Sequence, residues 1–340
     1  FNMSLTAKDM KLIINTIKSY NNTIQHLSLS DNSLTINTCS NICKIISNSS
    51  IPLKSLSLAR CNILGKYLKN LPNQIGSICH LTQLDMSGNS IQDEGALYLA
   101  TCIQGKIGLS EDVYRIPFTH LDVNRCGITG LGAQWIMESI ACSKTMKYLD
   151  LSDNILGANI HEMAEALARC ELTDLYLNRC KLGTKGGCLV FDALAVETDS
   201  SCCGNFIKSL YLSGNEIHDS VGINLRNFLL RNCTIQHIDL GFNAFTPSIR
   251  ESIGTNAFEV ITKSDITRKV NELNINLVGN SCEAHDIEMP GHFRSKTTLR
   301  YMNTHGNGIS LNALNGYLEQ REYAEKAHTI TTLRPIGTIS

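Results

Sequence analysis

Met146-Lys-Tyr-Leu149-Asp-Leu151-Ser-Asp-Asn154-Ile-Leu156 is the stretch on which the fold turns. Apolar residues hold its first, fourth, sixth and eleventh places, and an asparagine holds the ninth. Alternation over places four to six is the period of a short strand with one face turned inward. The chain must then turn, and a buried asparagine can both donate to and accept from the backbone groups of that turn. One copy upstream stand Phe118, Leu121, Val123, Cys126 and Ile128; one copy downstream, Leu172, Leu175, Leu177, Cys180 and Leu182. The frame recurs along the chain with Asn32, Cys61, Asn89, Cys126, Asn154, Cys180, Asn215, Asn243, Asn280 and Asn307 in its ninth place. Successive ninth places lie 26–29 residues apart, except for three intervals of 35–37 with extra residues near 103–117, 197–206 and 254–269. Around Leu273, Ile275 and Leu277 two registers fit; the one through Ile275 and Leu277 keeps Asn280 in the ladder.

A phrase of this kind at this period identifies leucine-rich repeats, about ten of them. The second half of each repeat reads as a helix, as in Gly95-Ala-Leu-Tyr-Leu-Ala100, Gly132-Ala-Gln-Trp-Ile-Met137 and Ile160–Leu167. A glycine ahead of the helix eases the turn, and small residues let it lie close to the strand layer. Helices are wider than strands, so the expected fold is α/β, a right-handed solenoid or horseshoe. Its parallel sheet lines the concave face and its helices the convex face. Residues 1–23 are expected to close the amino end with a helix. Thr6 and Asp9 resemble a capping box there, and Leu5, Met10, Ile13, Ile14 and Ile17 follow at helical spacing. The repeats fill 24–309. A closing helix after Ser310, through Leu314, Leu318 and Tyr323, and a tail fill 310–340.

The alternation Asn32, Cys61, Asn89, Cys126, Asn154, Cys180, Asn215 resembles ribonuclease-inhibitor-type leucine-rich repeats over roughly residues 24–325. That resemblance implies relatives such as the cytosolic ribonuclease inhibitor, receptor sensor domains and the GTPase-activating protein for Ran. Intracellular bacterial pathogens also export such repeats into host cells. The alternation stops where Asn243, Asn280 and Asn307 follow one another, and the three insertions and single tryptophan depart from the inhibitor itself. Its ribonuclease-binding residues are therefore not carried over.

Composition narrows the function classes. A formal charge of −1 over 340 residues argues against a general nucleic-acid binder, which carries basic stripes. No run of 18 apolar residues spans a membrane. Phe1-Asn2-Met3 does not open like a signal peptide. The 14 cysteines are scattered through a repeat array, with Cys61, Cys126 and Cys180 on core places, and read as buried thiols of a reducing cytosol. The Asn-x-Ser/Thr triplets at Asn2, Asn21, Asn48 and Asn232 are then chance. Cys79, Cys142, Cys170 and Cys233 stand at one stage of their repeats and read as a packing column. No metal cluster, phosphate loop or nucleophile motif emerges, so neither metal nor other cofactor is expected.

The places between the inward ones face solvent. The fifth runs Ser28, Ser57, Asp85, Asp122, Asp150, Tyr176, Tyr211, Asp239; the third runs His26, Ser55, Gln83, His120, Tyr148, Asp174, Ser209, His237. The eighth runs Asp31, Arg60, Gly88, Arg125, Asp153, Arg179, Gly214, Phe242. Tyrosine and arginine are the usual anchors of protein interfaces. The candidate partner-binding set is His120, Asp122, Arg125, Tyr148, Asp150, Tyr176, Arg179, Tyr211, His237, Asp239 and Phe242. The expected function is a non-enzymatic scaffold, a monomer, that binds another protein through this face and the one-sided insertions. It would act in its own cytosol or, if an exported effector from an AT-rich genome, in a host's. The alternative is a GTPase activator of the Ran type using an edge arginine, Arg60 or Arg125, with Asp93-Glu94-Gly95 ahead of the helix.

Overall fold

A computed structural model describes residues 7–19, 24–46, 51–74, 80–107, 113–114, 117–195, 206–232, 234–249, 272–281 and 298–303. Asn307, the closing helix after Ser310, Thr6, and the insertions at 197–205 and 254–269 lie outside them. The chain divides into two compact units, Phe1–Lys181 and Leu182–Ser340.

The first unit opens with a helix, α1 (Ala7–Ser19), followed by strand β1 (His26–Ser28) and helix α2 (Ile36–Ile46). Then come β2 (Ser55–Ser57), a 3-10 turn at Gly65–Leu68, α3 (Leu71–Gln74), β3 (Gln83–Asp85) and α4 (Gln92–Gln104). Two short strands, β4 (Lys106–Ile107) and β5 (Val113–Tyr114), lie in the first insertion. The unit continues through β6 (His120–Asp122), α5 (Gly130–Ser143), β7 (Tyr148–Asp150), α6 (His161–Leu167) and β8 (Asp174–Tyr176). Fourth-place residues align in one parallel register, Leu27, Leu56, Leu84, Leu121, Leu149 and Leu175. In the first insertion β4 and β5 pair antiparallel, Lys106 with Tyr114 and Ile107 with Val113. The second unit carries α7 (Gly183–Leu194), β9 (Ser209–Tyr211), α8 (Gly222–Arg231), β10 (His237–Asp239), β11 (Glu272–Asn276) and β12 (Thr298–Asn303). Its register is again parallel through the fourth place: Leu210, Ile238, Ile275 and Met302. Ile275, Leu277 and Asn280 are buried, which fixes the register of that repeat as expected.

The inward residues of the phrase are the core. Phe118, Leu121, Val123, Ile128, Met146, Leu149 and Leu151 have no exposed surface, nor have Ile136, Met137 and Ile140 of α5. The second unit repeats this with Leu210, Leu212 and Ile217 against Val190, Phe191 and Phe228, the two rings 5.5 Å apart. Layers of helix and parallel strand, each repeat stacked on the last, make the fold an α/β solenoid.

The glycines serve a different purpose from the one expected. Gly95 and Gly132 lie inside α4 and α5, not ahead of them. A methyl group on Gly95 would stand 2.5 Å from Ile91 Cβ and 3.3 Å from the Cα of Gly65. One on Gly132 would strike the Asp93 carboxylate and stand 3.1 Å from Ala96 Cβ. Stacked helices approach through these positions, so packing rather than a turn requires glycine.

Among the described residues the asparagines of the ninth place bond the turns of neighbouring repeats. Asn154 Oδ1 accepts from the amides of Cys126 and Ile128 at 3.0 and 2.9 Å, and Nδ2 donates to the carbonyls of Val123 and Leu151 at 2.9 Å each. Asn89 does the same for Cys61, Ile63, Leu58 and Met86, and Asn243 for Asn215, Ile217, Leu212 and Leu240. Cysteine keeps half of this pattern. Cys61, Cys126 and Cys180 donate through Sγ to the sixth-place carbonyl of the preceding repeat, Leu29, Met86 and Leu151. Their own main-chain carbonyls then accept from Leu34, Gln92 and Gly157. A thiol cannot reach back with an acceptor, so the backbone supplies one.

Candidate functional site

The eighth place is where backbone and chemistry meet. Every described residue there has positive φ: Asp31, Arg60, Gly88, Arg125, Asp153, Arg179, Gly214, Phe242 and Gly279, between 51° and 76°. The left-handed turn aims each amide at the next repeat, as Arg60 N does to the Ser87 carbonyl and Arg125 N to that of Ser152. Six of these positions carry side chains that seldom adopt such a φ. Four of them, Asp31, Arg60, Asp153 and Arg179, join as ion pairs along the edge. Arg60 grips both carboxylate oxygens of Asp31 at 2.7 and 2.8 Å. Arg179 grips Asp153 at 2.6 and 2.7 Å, and Arg125 stands 3.6 Å from the same carboxylate. The hydrogen bonds from arginine hold the carboxyls of Asp31 and Asp153 below their ordinary range.

In the first unit the fifth place forms a row across neighbouring strands: Ser57, Asp85, Asp122, Asp150, Tyr176. Each aspartate accepts its own backbone amide two residues on: Ser87 N, Asn124 N and Ser152 N, at 2.9, 2.9 and 2.8 Å. These Asx-type bonds hold the start of the turn. Asp85 is further bonded by the hydroxyls of Ser57 and Ser87. The nearby Asn124 amide favours the charged forms of both Asp122 and Asp150. Asp150 is 8% exposed and Asp122 half-buried. Burial pushes the Asp122 carboxyl up to about 7, with the like charges of Asp150 and Asp85 adding to it. Burial raises that of Asp150 as well. Beside this row the aromatics touch: His120 stacks on Tyr148 at 5.6 Å and 22°, and Tyr148 meets Tyr176 at 5.0 Å and 44°.

In the second unit Tyr211 meets His237 at 5.0 Å and 46°. Burial holds His237 below the usual histidine range, and Asp239 opposes that shift. Asp239 accepts Gly241 N at 2.9 Å and Nδ2 of Asn276 at 2.8 Å. Phe242 is 65% exposed and lies across Gly279, where an added Cβ would come within 2.5 Å of the ring.

Four features of the structure correct or extend what the sequence shows. The aspartates of the candidate set hold the backbone, and Asp150 is buried rather than facing solvent as expected. Asn124 and Asp153, outside the set, tie it together; their places, seventh and eighth, show only polarity in the sequence. Cys142 is exposed while Cys170 is buried, so their shared place is not a uniform packing column. Asn232, of the fourth Asn-x-Thr triplet, is 3% exposed and accepts the amides of Thr234 and Ile235 as a cap.

The family model described as "Leucine Rich repeat" matches residues 77–100, 117–137 and 231–254. The chain is a leucine-rich repeat protein. Human proteins share the repeats. The chain is 29% identical over 178 residues to "NACHT, LRR and PYD domains-containing protein 5", covering 51% of this chain and 14% of that protein. It is 25% identical to protein 14 of the same series over 178 residues, 50% of this chain and 15% of the other. With protein 12 it shares 27% over 154 residues, 44% of this chain and 13% of the other. The chain thus spans less than one-sixth of the length of these curated relatives. The solved structure titled "Crystal structure of TLR13-ssRNA13 complex" superposes with a TM-score of 0.49 and 16% identity over 84% of this chain and 33% of that one.

Within the leucine-rich repeats the residues cited for GTPase activation have structural partners. Arg60 is bound at both ends of its fork by Asp31. Asp93, at the start of α4, accepts the amide and hydroxyl of Thr129 at 2.8 and 2.6 Å, clamping one repeat to the next. Asp219 holds Thr246 in the same way. No helix among the described residues is long and apolar enough to cross a membrane.

Proposed function

We propose that this leucine-rich repeat protein is a non-enzymatic interaction scaffold of the ribonuclease-inhibitor type, working as a monomer in a cytosol. A partner protein docks on the solvent side of the strands. The observation that carries the reading is the contiguous aromatic row His120, Tyr148 and Tyr176, set beside Asp122 and Asp150 and edged by Arg125 and Arg179. Rings in contact with each other are already ordered, so docking on them costs little side-chain entropy while giving a large contact area. Tyr211, His237, Asp239 and Phe242 offer a second aromatic and acidic surface on the other unit. The Asn/Cys alternation supports the subtype. The described cysteines, all thiols and most of them buried, support a reducing compartment. The exported-effector reading rests on residue usage alone.

The test compares the wild-type chain with Tyr148→Ala/Tyr176→Ala as bait in a eukaryotic cytosolic extract, with captured proteins quantified by mass spectrometry. A partner of this face is captured by the wild type and lost by the double variant. Direct titration of that partner then shows a loss of about 2 kcal/mol or more, as for interface anchors. Identical capture by both baits sinks the reading.

A further inference from the structure

Asp85, Asp122 and Asp150 stand directly opposite one another on three neighbouring strands, whose backbones lie about 5 Å apart. Like charges directly opposite each other destabilise a sheet. The described ion pairs of acidic residues use Asp31, Asp153, Glu165 and Glu171; none involves this row. Its hydrogen bonds come from neutral groups: the backbone amides of Ser87, Asn124 and Ser152 and the hydroxyls of Ser57 and Ser87. The Asx bonds explain an acceptor at each place, but an asparagine would supply that acceptor without the charge, as Asn276 does for Val278 N at 3.2 Å. Among the described residues no ion pair reaches these carboxylates; Arg60 and Arg179 act on Asp85 and Asp150 only at a distance. At the end of the row stands Tyr176, and one pleat away Tyr148, their rings in contact.

We propose that the partner inserts an arginine-bearing segment here, its guanidinium bridging the carboxylates of Asp122 and Asp150 while its plane lies on the ring of Tyr148 or Tyr176. This rests on the proposed scaffold function and names the chemistry of the partner. Arginine fits where lysine does not. A planar fork donates to two carboxylates at once and stacks on an aromatic face, whereas an ammonium is a strongly hydrated point charge. The cationic edge at Arg125 and Arg179 repels a uniformly basic surface, so the partner presents its arginine among neutral or acidic neighbours.

Docking is linked to a proton. The groups facing Asp122 are Asp85 from β3, Asp150 and Tyr148 from β7, and His120 on its own strand; Arg125 lies beyond the turn. With its carboxyl near 7, Asp122 carries a proton in part of the molecules at neutral pH. The arriving guanidinium favours the carboxylate, and the proton leaves to solvent. The sign for stability follows from the raised value. The folded state holds a proton that the unfolded state has lost above its ordinary range near 3.8, so stability declines as pH rises from about 4 to about 7.

The experiment uses the full chain, Asp122→Asn, Asp150→Asn, and Tyr148→Ala/Tyr176→Ala. The probes are acetylated, amidated peptides of glycine and serine with a single central arginine, lysine or glutamate. Titration calorimetry is run in two buffers of different ionisation enthalpy. The arginine peptide binds the wild type, binds more weakly than that by about tenfold in each Asp→Asn variant, and exceeds the lysine peptide. It releases protons at pH 7 from the wild type and not from Asp122→Asn. That variant melts higher than the wild type at pH 8, and the gap closes toward pH 5. Three results overturn the arginine proposal: equal binding by Asp122→Asn and the wild type, binding of the glutamate peptide as tightly as the arginine peptide, or a lower melting point for Asp122→Asn at pH 8. If the tyrosine variant loses partner capture while the aspartate variants keep peptide affinity, the scaffold reading survives and the arginine falls. Retention of capture by the tyrosine variant removes both.

Discussion

Asn154 uses both ends of one amide on the turn that begins every repeat. Two amides of the preceding repeat and two carbonyls converge on a side chain that is 1% exposed. Removing it with Asn154→Ala leaves those groups buried and unpaired, at a cost of about 1–3 kcal/mol. Asn154→Cys keeps a donor in the position where Cys126 and Cys180 already donate, so it should cost less than alanine. It does not restore the acceptor for Cys126 N and Ile128 N, so some loss remains. Urea midpoints of the two variants check the order. Equal midpoints for wild type and both variants remove the ladder argument. This layer was legible in the sequence because asparagine and cysteine at a fixed interval are rare enough to stand out. The aspartates were legible only as charge: that Asp85, Asp122, Asp150 and Asp239 each hold an amide two residues on depends on where the carboxyl swings, which spacing does not reveal.

The turn after each strand carries its own constraint. The strands were readable from their alternation, and even the doubtful register at Ile275 followed from keeping Asn280. The left-handed eighth place was not. Arginine and phenylalanine are poor signals for positive φ, and only Gly88, Gly214 and Gly279 announce it. Here the stacking of repeats imposes a backbone conformation that local preference disfavours. The glycines were read for the turn when most of their work is close helix packing, because sequence gives no distance between repeats. Two glycines separate strain from crowding. Gly157, at φ 72°, has nothing within 4 Å of an added Cβ, while Gly279, at φ 76°, has the Phe242 ring at 2.5 Å. Gly157→Ala should cost roughly 1–2 kcal/mol from the backbone alone. Gly279→Ala should cost more, and adding Phe242→Ala should bring it down toward the Gly157 value. Thermal denaturation of the four proteins tests this. A Gly279→Ala penalty unchanged by Phe242→Ala would show that the ring simply moves aside.

Across the whole molecule the thiols report on both packing and compartment. Repeats bury cysteine at several stages: Cys39 and Cys43 in α2, Cys102 in α4, Cys170 after α6, and Cys61, Cys126 and Cys180 in the ladder. Burial pushes Cys39, Cys43, Cys126, Cys170 and Cys180 up to about 12. At pH 8 such a group is thiolate in only ~1 molecule in 10,000, and thiolate is the form that reacts. Access and ionisation therefore point the same way. Among the described cysteines, native protein treated with iodoacetamide at pH 8 and mapped by mass spectrometry should carry label first at Cys142, which is exposed, and more slowly at half-buried Cys188. Cys61, Cys126 and Cys180 should take label only after denaturant is added, and together, since one ladder holds all three. Fast labelling of Cys126 in native protein would mean that the repeats open locally far more readily than their packing implies. A disulfide linking Cys142 in protein prepared without reductant would take away the thiol argument for a reducing compartment, while leaving the fold as described.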